Sequence, residues 1–377
     1  MDPNGLEPST PCMRSRCSPN WATDPLHKYY STFLRKIDIV FMKESKFLSQ
    51  KNDFLRKDKE PQKMKRSTKY VLAGLGAALV GVTAGMGIGG YASFLVGIKN
   101  TEKAKNRAIE RSENEDNDAL NLAWFNQQHP ETVQMLSEDG LQLKASFIRQ
   151  PQPTKHTVIM AHGYHHARRQ MIPYAKIFYE LGYNVLMPDA RSHGESEGNL
   201  IGFGWLDRRD YVRWVQRAVM LTNADEKIVL MGISMGAATV IAAAGEPDIA
   251  SNVVAVIEDS SFNRLDQQFR HRLKRYYHLP PRELALIASL LTEKEAGYSF
   301  KEADIEAQIK KVRVPIMFIH GEADRFVPIE MLDDLVEAAQ VPSWVYLVNQ
   351  ADHVQALKAD PKRYREEVAH FLEKFVK

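Results

Sequence analysis

Short apolar runs of β type alternate with segments of helical periodicity along most of the chain from residue 132 onward. The β-type runs are Thr132–Leu136, Leu141–Ile148, Thr157–Ala161, Asn184–Met187, Lys227–Met231, Asn252–Glu258, Val314–Ile319 and Val345–Asn349. The helical patterns lie near 168–181, 205–222, 234–245, 329–340 and 361–376. This alternation predicts an α/β domain over residues 131–377, with an eight-stranded, mostly parallel sheet and helices on both faces.

Two departures from the alternation refine this prediction. The first two runs are joined by Glu138-Asp139-Gly140, which predicts an antiparallel hairpin at one edge of the sheet. Between residues 262 and 311 the strand rhythm stops, and residues 281–293 and 302–311 have helical patterns. We therefore expect a helical insertion between the sixth and seventh strands.

A serine lies between the fifth β-type run and the helical pattern that follows it. Gly232 and Gly236 flank Ser234 at the G-x-S-x-G spacing of a nucleophile elbow. Glycine suits both positions because the turn is strained and neighbouring backbone comes close. The helix N-terminus also favours developing negative charge. Ser234 is the predicted nucleophile, and an ordinary glycine-rich loop is the alternative.

A serine hydroxyl needs a histidine to take its proton and a carboxylate to orient that histidine. Asp324 follows the seventh β-type run and His353 follows the eighth, so both are expected at the sheet edge that carries Ser234. Glu322 and Asp352 are the alternatives for the acid. Asp352 adjoins His353 and is better suited to capping the loop.

Two backbone N–H groups are expected to bind the oxyanion that forms during acyl transfer. One is that of Met235, directly after the serine, and the other is that of Tyr164, in the loop after the third run. The same loop contains three histidines, His162, His165 and His166. A metal site is one interpretation of them. A solvated loop is preferred because no cysteine or acidic partner lies nearby, and no metal is expected.

These motifs together resemble the α/β-hydrolase superfamily over about residues 131–377. The resemblance rests on His162-Gly163, Pro188–Ser196, the elbow at 232–236, His320-Gly321-x-x-Asp324-x-x-Val327-Pro328 and the terminal His353. Ser192 stands where the superfamily commonly has glycine. The chain is most similar to uncharacterised bacterial esterase- and peptidase-like serine hydrolases with an N-terminal membrane anchor. This resemblance implies the α/β-hydrolase fold, acyl transfer to water, no cofactor, and a small helical cap at about 262–311.

The expected cap contains both apolar and basic side chains. Residues that either line an acyl pocket or merely attach the cap are Phe269, Tyr276, Tyr277, Leu284, Ile287 and Leu291. A basic cluster is formed by Arg270, His271, Arg272, Lys274 and Arg275. The cluster fits an acidic substrate or anionic headgroups, but a solvated helix face is the preferred interpretation.

No residue from Tyr70 to Ile98 is charged, and this run exceeds the roughly 20 residues that span a bilayer. It predicts a transmembrane anchor over 70–98, a basic tail over 1–69 and a polar stalk over 99–130. Basic residues flank the run on both sides, so orientation is weakly determined. We expect a single-pass cell-membrane protein with an extracellular catalytic domain. Small residues recur at Gly81, Gly85 and Gly89, by chance or as the contact of a weak homodimer.

Charge and cysteine content restrict the remaining function classes. The formal net charge is +3, the basic excess lies in the N-terminal tail, and the domain is slightly acidic. This distribution argues against nucleic-acid binding. Both cysteines, Cys12 and Cys17, lie in the tail. Parts of residues 1–22 back-translate to the complement of conserved tRNA arms, so we expect translation to start at Met64 and residues 1–63 to be a misassigned extension.

The sequence predicts a membrane-anchored serine hydrolase that cleaves a small-molecule carboxylic ester through an acyl-enzyme. A serine peptidase acting on short peptides and a thioesterase are alternatives that use the same triad. A non-catalytic scaffold is disfavoured by the complete set of Ser234, Asp324 and His353. The apolar cap favours an acyl or aryl group over a peptide.

Overall fold

The computed structural model describes residues 81, 84–114 and 119–376. The chain divides into two compact units, Met1–Met86 and Gly87–Lys377. In the first unit only residues 81 and 84–86 are described, and they are helical. Among the described residues, no helix has both the length and the apolar character needed to cross a bilayer. The predicted tail and residues 70–80, 82 and 83 of the predicted span lie outside the described residues, so the anchor stays a prediction.

One sheet of eight strands organises the second unit. The strands are β1 (Glu131–Leu136), β2 (Gln142–Ile148), β3 (His156–Ala161), β4 (Asn184–Pro188), β5 (Lys227–Ile233), β6 (Val253–Asp259), β7 (Ile316–Gly321) and β8 (Ser343–Val348). Their order is β1-β2-β4-β3-β5-β6-β7-β8. Strand β2 is antiparallel to β1 and β4, and the other neighbours are parallel. The predicted sheet and its edge hairpin are confirmed.

Helices cover both faces of this sheet. After helical residues 84–97, they are α1 (Glu102–Asn114), α2 (Ala119–Gln127), α3 (Ile172–Glu180), α4 (Asp207–Leu221), α5 (Met235–Ala244), α6 (Leu265–Tyr277), α7 (Pro281–Ala296), α8 (Ile305–Ile309), α9 (Ile329–Ala338), α10 (Ala356–Ala359) and α11 (Pro361–Phe375). A short 3-10 turn, Arg168–Met171, precedes α3. Helices α4, α5 and α9 pack on one face, and α3 and α11 pack on the other.

The central strands are apolar at almost every position because both of their faces are buried. In β5, Ile228 and Leu230 point into one core, whereas Val229 and Met231 point into the other. The parallel strands end at a common edge, and the loops that follow β3, β5, β7 and β8 carry the predicted site residues. The fold therefore brings distant parts of the sequence to one place.

The described residues of the predicted stalk, 99–114 and 119–130, pack on the second unit instead. Lys105 on α1 is buried, and its Nζ donates a hydrogen bond to the carbonyl oxygen of Ser196 at 2.9 Å. Asn100 Nδ2 donates to the carbonyl oxygen of Ser192 at 2.7 Å. Phe125 on α2 lies in the core. The stalk prediction is wrong for these residues, because polar side chains of this segment bond to carbonyl groups of the loop after β4.

The last part of the predicted span also belongs to the second unit. Phe94 and Ile98 are buried in the core beside the sheet. A Cβ atom at Gly97 would lie 3.0 Å from the ring of Phe269, and one at Gly89 would lie 3.0 Å from the side chain of Leu284. Glycine thus allows this segment to approach the inserted helices closely. The compact unit begins at Gly87, well before the predicted domain start at residue 131.

The inserted helices predicted over 262–311 are α6, α7 and α8. Helices α6 and α7 pack on each other, and α8 packs on α5 and α9. The ring of Phe269 lies 4.6 Å from that of Phe300, centroid to centroid. Two of the pocket candidates, Leu284 and Ile287, contact the N-terminal helical segment instead. For these residues, attachment of the insertion is the correct interpretation.

Candidate active site

Ser234 lies at the turn between β5 and α5 with φ 53° and ψ −116°. This strained conformation for a residue with a side chain is held by neighbouring backbone. The Ser234 N–H donates to the carbonyl oxygen of Asp259 at 2.8 Å. A Cβ at Gly232 would overlap the carbonyl of Gly236, and one at Gly236 would overlap the carbonyl of Ala161. Both predicted elbow positions therefore require glycine for a steric reason.

The structure brings together the three side chains of the predicted triad. His353 Nε2 lies 2.8 Å from Ser234 Oγ, and His353 Nδ1 lies 2.6 Å from Asp324 Oδ2. The carboxylate accepts the Nδ1 proton, so Nε2 is left to accept the serine proton. This geometry suits proton transfer from the hydroxyl to the imidazole.

Asp324 is held by its own loop. Its side chain is fully buried, and its Oδ1 accepts hydrogen bonds from the N–H groups of Phe326 and Val327, each at 2.8 Å. His320 Nε2 donates to the carbonyl oxygen of Val327 at 2.9 Å. Burial lowers the pKa of His320, which favours the neutral ring beside Asp324. The loop thus fixes the carboxylate and satisfies the oxygen that His353 does not use.

The side chains of the two alternatives for the acid do not bond to the imidazole of His353 in the described part of the chain. Glu322 is exposed, and its N–H donates to the carbonyl oxygen of Val348 at 3.0 Å. Asp352 Oδ1 accepts the backbone N–H of His353 at 2.8 Å, so it caps the loop. Of the three acids, Asp324 is the one whose carboxylate meets the imidazole of His353.

The loop after β3 lies beside the serine. A Cβ at Gly163 would be 3.7 Å from the Cβ of Ser234. The Gly163 N–H donates to Gln170 Oε1 at 2.8 Å, which orients the next peptide group. Neither the Tyr164 N–H nor the Met235 N–H has a hydrogen-bond partner among the described residues. The sequence does not identify Gln170 as a site residue, because nothing in its helical pattern distinguishes it from its neighbours.

The histidine rings of this region form hydrogen bonds with neighbouring backbone groups. His162 Nδ1 donates to the carbonyl oxygen of Gly163 at 2.8 Å, and its Nε2 accepts the Ala190 N–H at 3.0 Å. His193 Nε2 accepts the His165 N–H at 3.3 Å. Burial lowers the pKa of His162 and His193 and is the largest cause of a pKa of about 4 at His165. No group of potential ligands among the described residues is arranged around a metal position.

Helix α6 borders the site through the loop that carries Asp324. Gln268 Nε2 donates to the carbonyl oxygen of Phe326 at 2.9 Å. The ring of Phe326 lies 4.7 Å from that of His353, centroid to centroid, at 31°. Tyr276, a predicted pocket residue, lies 6.1 Å from the same phenylalanine ring. Phe326 therefore connects the insertion to the histidine. The one sequence signal for this role is the position of Phe326 two residues after Asp324.

Comparison with known sequences agrees with this fold. The alpha/beta hydrolase family matches residues 158–367, which is more than half of the chain. The uncharacterized protein YqkD of Bacillus subtilis (strain 168) is 28% identical over 305 residues, which cover 81% of this chain and 97% of that protein. The uncharacterized protein YfhR of Escherichia coli (strain K12) is 27% identical over 250 residues, which cover 64% and 80%.

Solved structures with a similar fold include two of the Pyrococcus furiosus esterase Pf2001. One has a TM-score of 0.54 at 23% identity and covers 66% of this chain and 92% of the esterase. The other has a TM-score of 0.52 at 25% identity and covers 66% and 93%. The fold, the ordered site motifs and the family match lead to one conclusion. This chain belongs to the alpha/beta hydrolase family.

Proposed function

We propose that this protein is a serine hydrolase that cleaves small-molecule carboxylic esters through an acyl-enzyme. The observation that carries the proposal is the continuous chain of contacts from Ser234 Oγ to His353, at 2.8 Å, and from His353 to Asp324, at 2.6 Å. Each residue contributes what the chemistry requires: a hydroxyl, a neutral base and a buried carboxylate. The residues lie on three separate loops at one sheet edge, as acyl transfer in this family requires.

In the first half of the reaction, Ser234 Oγ attacks the ester carbonyl while His353 Nε2 takes its proton. The carbonyl oxygen becomes an oxyanion, which accepts hydrogen bonds from the N–H groups of Tyr164 and Met235. The N-terminus of α5 adds its favourable dipole. His353 then gives the proton to the departing alkoxide, the carbon–oxygen bond to the alcohol breaks, and the acyl group remains on Ser234.

In the second half, water replaces the alcohol. His353 Nε2 takes a proton from the water as its oxygen attacks the acyl carbonyl, and the same two N–H groups bind the oxyanion. The bond to Ser234 Oγ breaks, the proton returns to the serine, and the carboxylic acid leaves. Asp324 keeps the imidazole in the required tautomer and stabilises its positive charge in both halves.

Three acyl-transfer activities share this mechanism, and an esterase is favoured among them. The Pyrococcus furiosus protein of similar fold is named an esterase. A peptidase or a thioesterase would use the same triad, so substrates decide between them. The full chain in detergent is tested on short to medium acyl 4-nitrophenyl esters, acyl thioesters and aminoacyl arylamides, with rates scaled to the uncatalysed reactions.

The expected result is a kcat/KM for the esters at least tenfold above that for the arylamides, which is about 1.4 kcal/mol in transition-state stabilisation. Ser234→Ala should remove turnover of all three classes. Equal or faster turnover of arylamides contradicts the esterase proposal and supports a peptidase. Preference for thioesters supports a thioesterase.

The proposal includes attachment to the cell membrane through the uncharged run that begins at Tyr70. The second compact unit begins at Gly87, which leaves 17 uncharged residues, from Tyr70 to Met86, before it. That length is at the lower end of the range for a transmembrane helix. The chain should remain with membranes in carbonate, and the catalytic domain of intact cells should be accessible to added protease. Release by carbonate contradicts the anchor, and full protection from protease contradicts the extracellular orientation.

A further inference from the structure

The members of the basic cluster on α6 differ in their surroundings. Arg270 pairs with Asp266 at 2.6 Å, and the ring of His271 bonds to the carbonyl oxygen of Arg325 at 2.9 Å. The cluster residues Lys274 and Arg275 are exposed to solvent. These four fit the solvated face that the sequence favoured. Arg272 does not fit it.

Arg272 lies between two aromatic rings that border the active site. Its guanidinium carbon is 4.5 Å from the ring centroid of Phe326 and 5.7 Å from that of Tyr164. The Phe326 ring packs on the ring of His353, as described above. Tyr164 follows Gly163, whose backbone lies beside Ser234. The positive charge of Arg272 therefore lies close both to Phe326, which packs on the predicted base, and to Tyr164, whose loop lies beside the predicted nucleophile.

This guanidinium has no acidic partner in the part of the chain that the structure describes. Its Nε is buried without a hydrogen-bond acceptor. The carboxylate on the same helix, that of Asp266, is bound by Arg264 and Arg270. Asp324 is occupied by His353 and two backbone N–H groups. A buried charged donor without an acceptor is unfavourable, and the faces of aromatic rings compensate it only in part.

A second polar atom without a partner occurs close by. His165 Nε2 is buried without a hydrogen bond, and its ring centroid lies 4.0 Å from that of Tyr164. Burial and, after it, the positive charge of Arg272 lower the pKa of His165 to about 4, so this imidazole is neutral at pH 7. Arg272 therefore lies close to a neutral imidazole, and no protonated His165 competes with it for an anion.

We propose that Arg272 binds an anionic group, a carboxylate or a phosphate, that the substrate carries close to its ester bond. The inference rests on the proposed function and specifies its substrate class as anionic esters. A guanidinium donates two parallel hydrogen bonds to either group, and that of Arg272 lies close to the rings of Phe326 and Tyr164 beside the predicted base and nucleophile. The sequence favoured an apolar acyl or aryl group over a peptide, and this proposal adds an anionic group to that substrate.

Two matched substrate pairs test this proposal on the full chain in detergent. The carboxylate pair is mono-4-nitrophenyl adipate and its methyl ester, whose chain is too long for the carboxylate to form a favourable five- or six-membered cyclic anhydride. The phosphate pair is 2-acetoxyethyl phosphate and its dimethyl triester. We expect kcat/KM for the anionic member of one pair to exceed that for its neutral partner by at least tenfold, and the pair that responds identifies the anion. Arg272→Gln should bring that ratio close to one, and Arg272→Lys should leave an intermediate ratio because it keeps the charge but loses the two-pronged geometry.

Arg275→Gln is the matched control, because it removes the same charge from an exposed position on the same helix. It should leave the ratio unchanged, whereas a general electrostatic attraction would fall equally in both variants. The proposal is overturned if neither pair shows a preference, or if Arg272→Gln lowers both members of a pair equally. If the neutral esters are hydrolysed with dependence on Ser234 but no preference exists, only the role of Arg272 fails. If no ester is hydrolysed, the proposed function itself fails.

Discussion

Replacing Asp324 by asparagine tests the orientation of the base with a minimal change of shape. The asparagine Oδ1 can still accept the N–H groups of Phe326 and Val327, which lie at 2.8 Å. Its Nδ2 then stands where Asp324 Oδ2 met His353 Nδ1 at 2.6 Å. An amide nitrogen donates a hydrogen bond there, so His353 Nδ1 must become the unprotonated ring nitrogen that accepts it. The proton moves to Nε2, where it blocks acceptance of the serine proton.

The expected loss follows from this change of tautomer. The binding groups and both oxyanion N–H donors remain, so substrate binding should change little. A triad with the wrong tautomer typically loses about 10⁴-fold in kcat, which corresponds to about 5 kcal/mol in activation free energy. The losses from Asp324→Asn and His353→Ala should not add, because the residues act as one unit.

The assay is steady-state hydrolysis of a short acyl 4-nitrophenyl ester by the wild type, Asp324→Asn and Glu322→Gln. Glu322→Gln is the control, because it makes the same chemical change two residues away on an exposed side chain. It should retain activity within about twofold, as expected for a surface position. Near-full activity of Asp324→Asn, combined with inactivity of Glu322→Gln, would refute the assignment of the acid.

Three further predictions concern stability and folding. Phe94→Ala should destabilise the protein by about 3–5 kcal/mol in urea unfolding because Phe94 is buried in the core, whereas Leu95→Ala, on the exposed side of the same segment, should cost less than about 1 kcal/mol. Burial raises the pKa of Asp259 from 3.8 to about 6, so the stability associated with its protonated form is lost as the pH rises through about 6. The change in unfolding free energy caused by Asp259→Asn, which cannot ionise, should therefore be about 3 kcal/mol more favourable at pH 8 than at pH 4, and an equal change at both pH values would contradict this cause. Gly236→Ala should abolish soluble folded protein because the added methyl overlaps the carbonyl of Ala161, whereas Gly87→Ala, with open space around it, should express normally.

The sheet and the candidate triad were predictable because each depends on a local pattern. Apolar runs mark the buried strands, and residues directly after parallel strands meet at one edge, so Ser234, Asp324 and His353 could be grouped from their positions. Strand bounds were less accurate, and β8 begins at Ser343 rather than Val345. The alternation of exposed and buried side chains in this edge strand weakens the apolar signal at its start.

Other features depend on contacts that periodicity does not encode. An uncharged run fits burial in lipid and burial against helices equally well. Hydropathy alone therefore could not show that Phe94 and Ile98, at the end of this run, belong to the protein core. The polar composition of α1 likewise gave no sign that Lys105 is buried. Its burial depends on a hydrogen bond to the carbonyl oxygen of Ser196, 91 positions away in the sequence. Arg272 and Arg275 lie on the same basic helix, and only the packing of Phe326 and Tyr164 distinguishes them.

The central claim is that Ser234 is the nucleophile, and covalent labelling tests it most directly. The full chain is treated with a fluorophosphonate, and the modified peptide is located by mass spectrometry. The account predicts one adduct on Ser234, its absence in Ser234→Ala, and strongly slowed labelling in His353→Ala, because the base that activates the hydroxyl is gone. An adduct on another serine, such as Ser196 or Ser260, or undiminished labelling of Ser234→Ala, would contradict it.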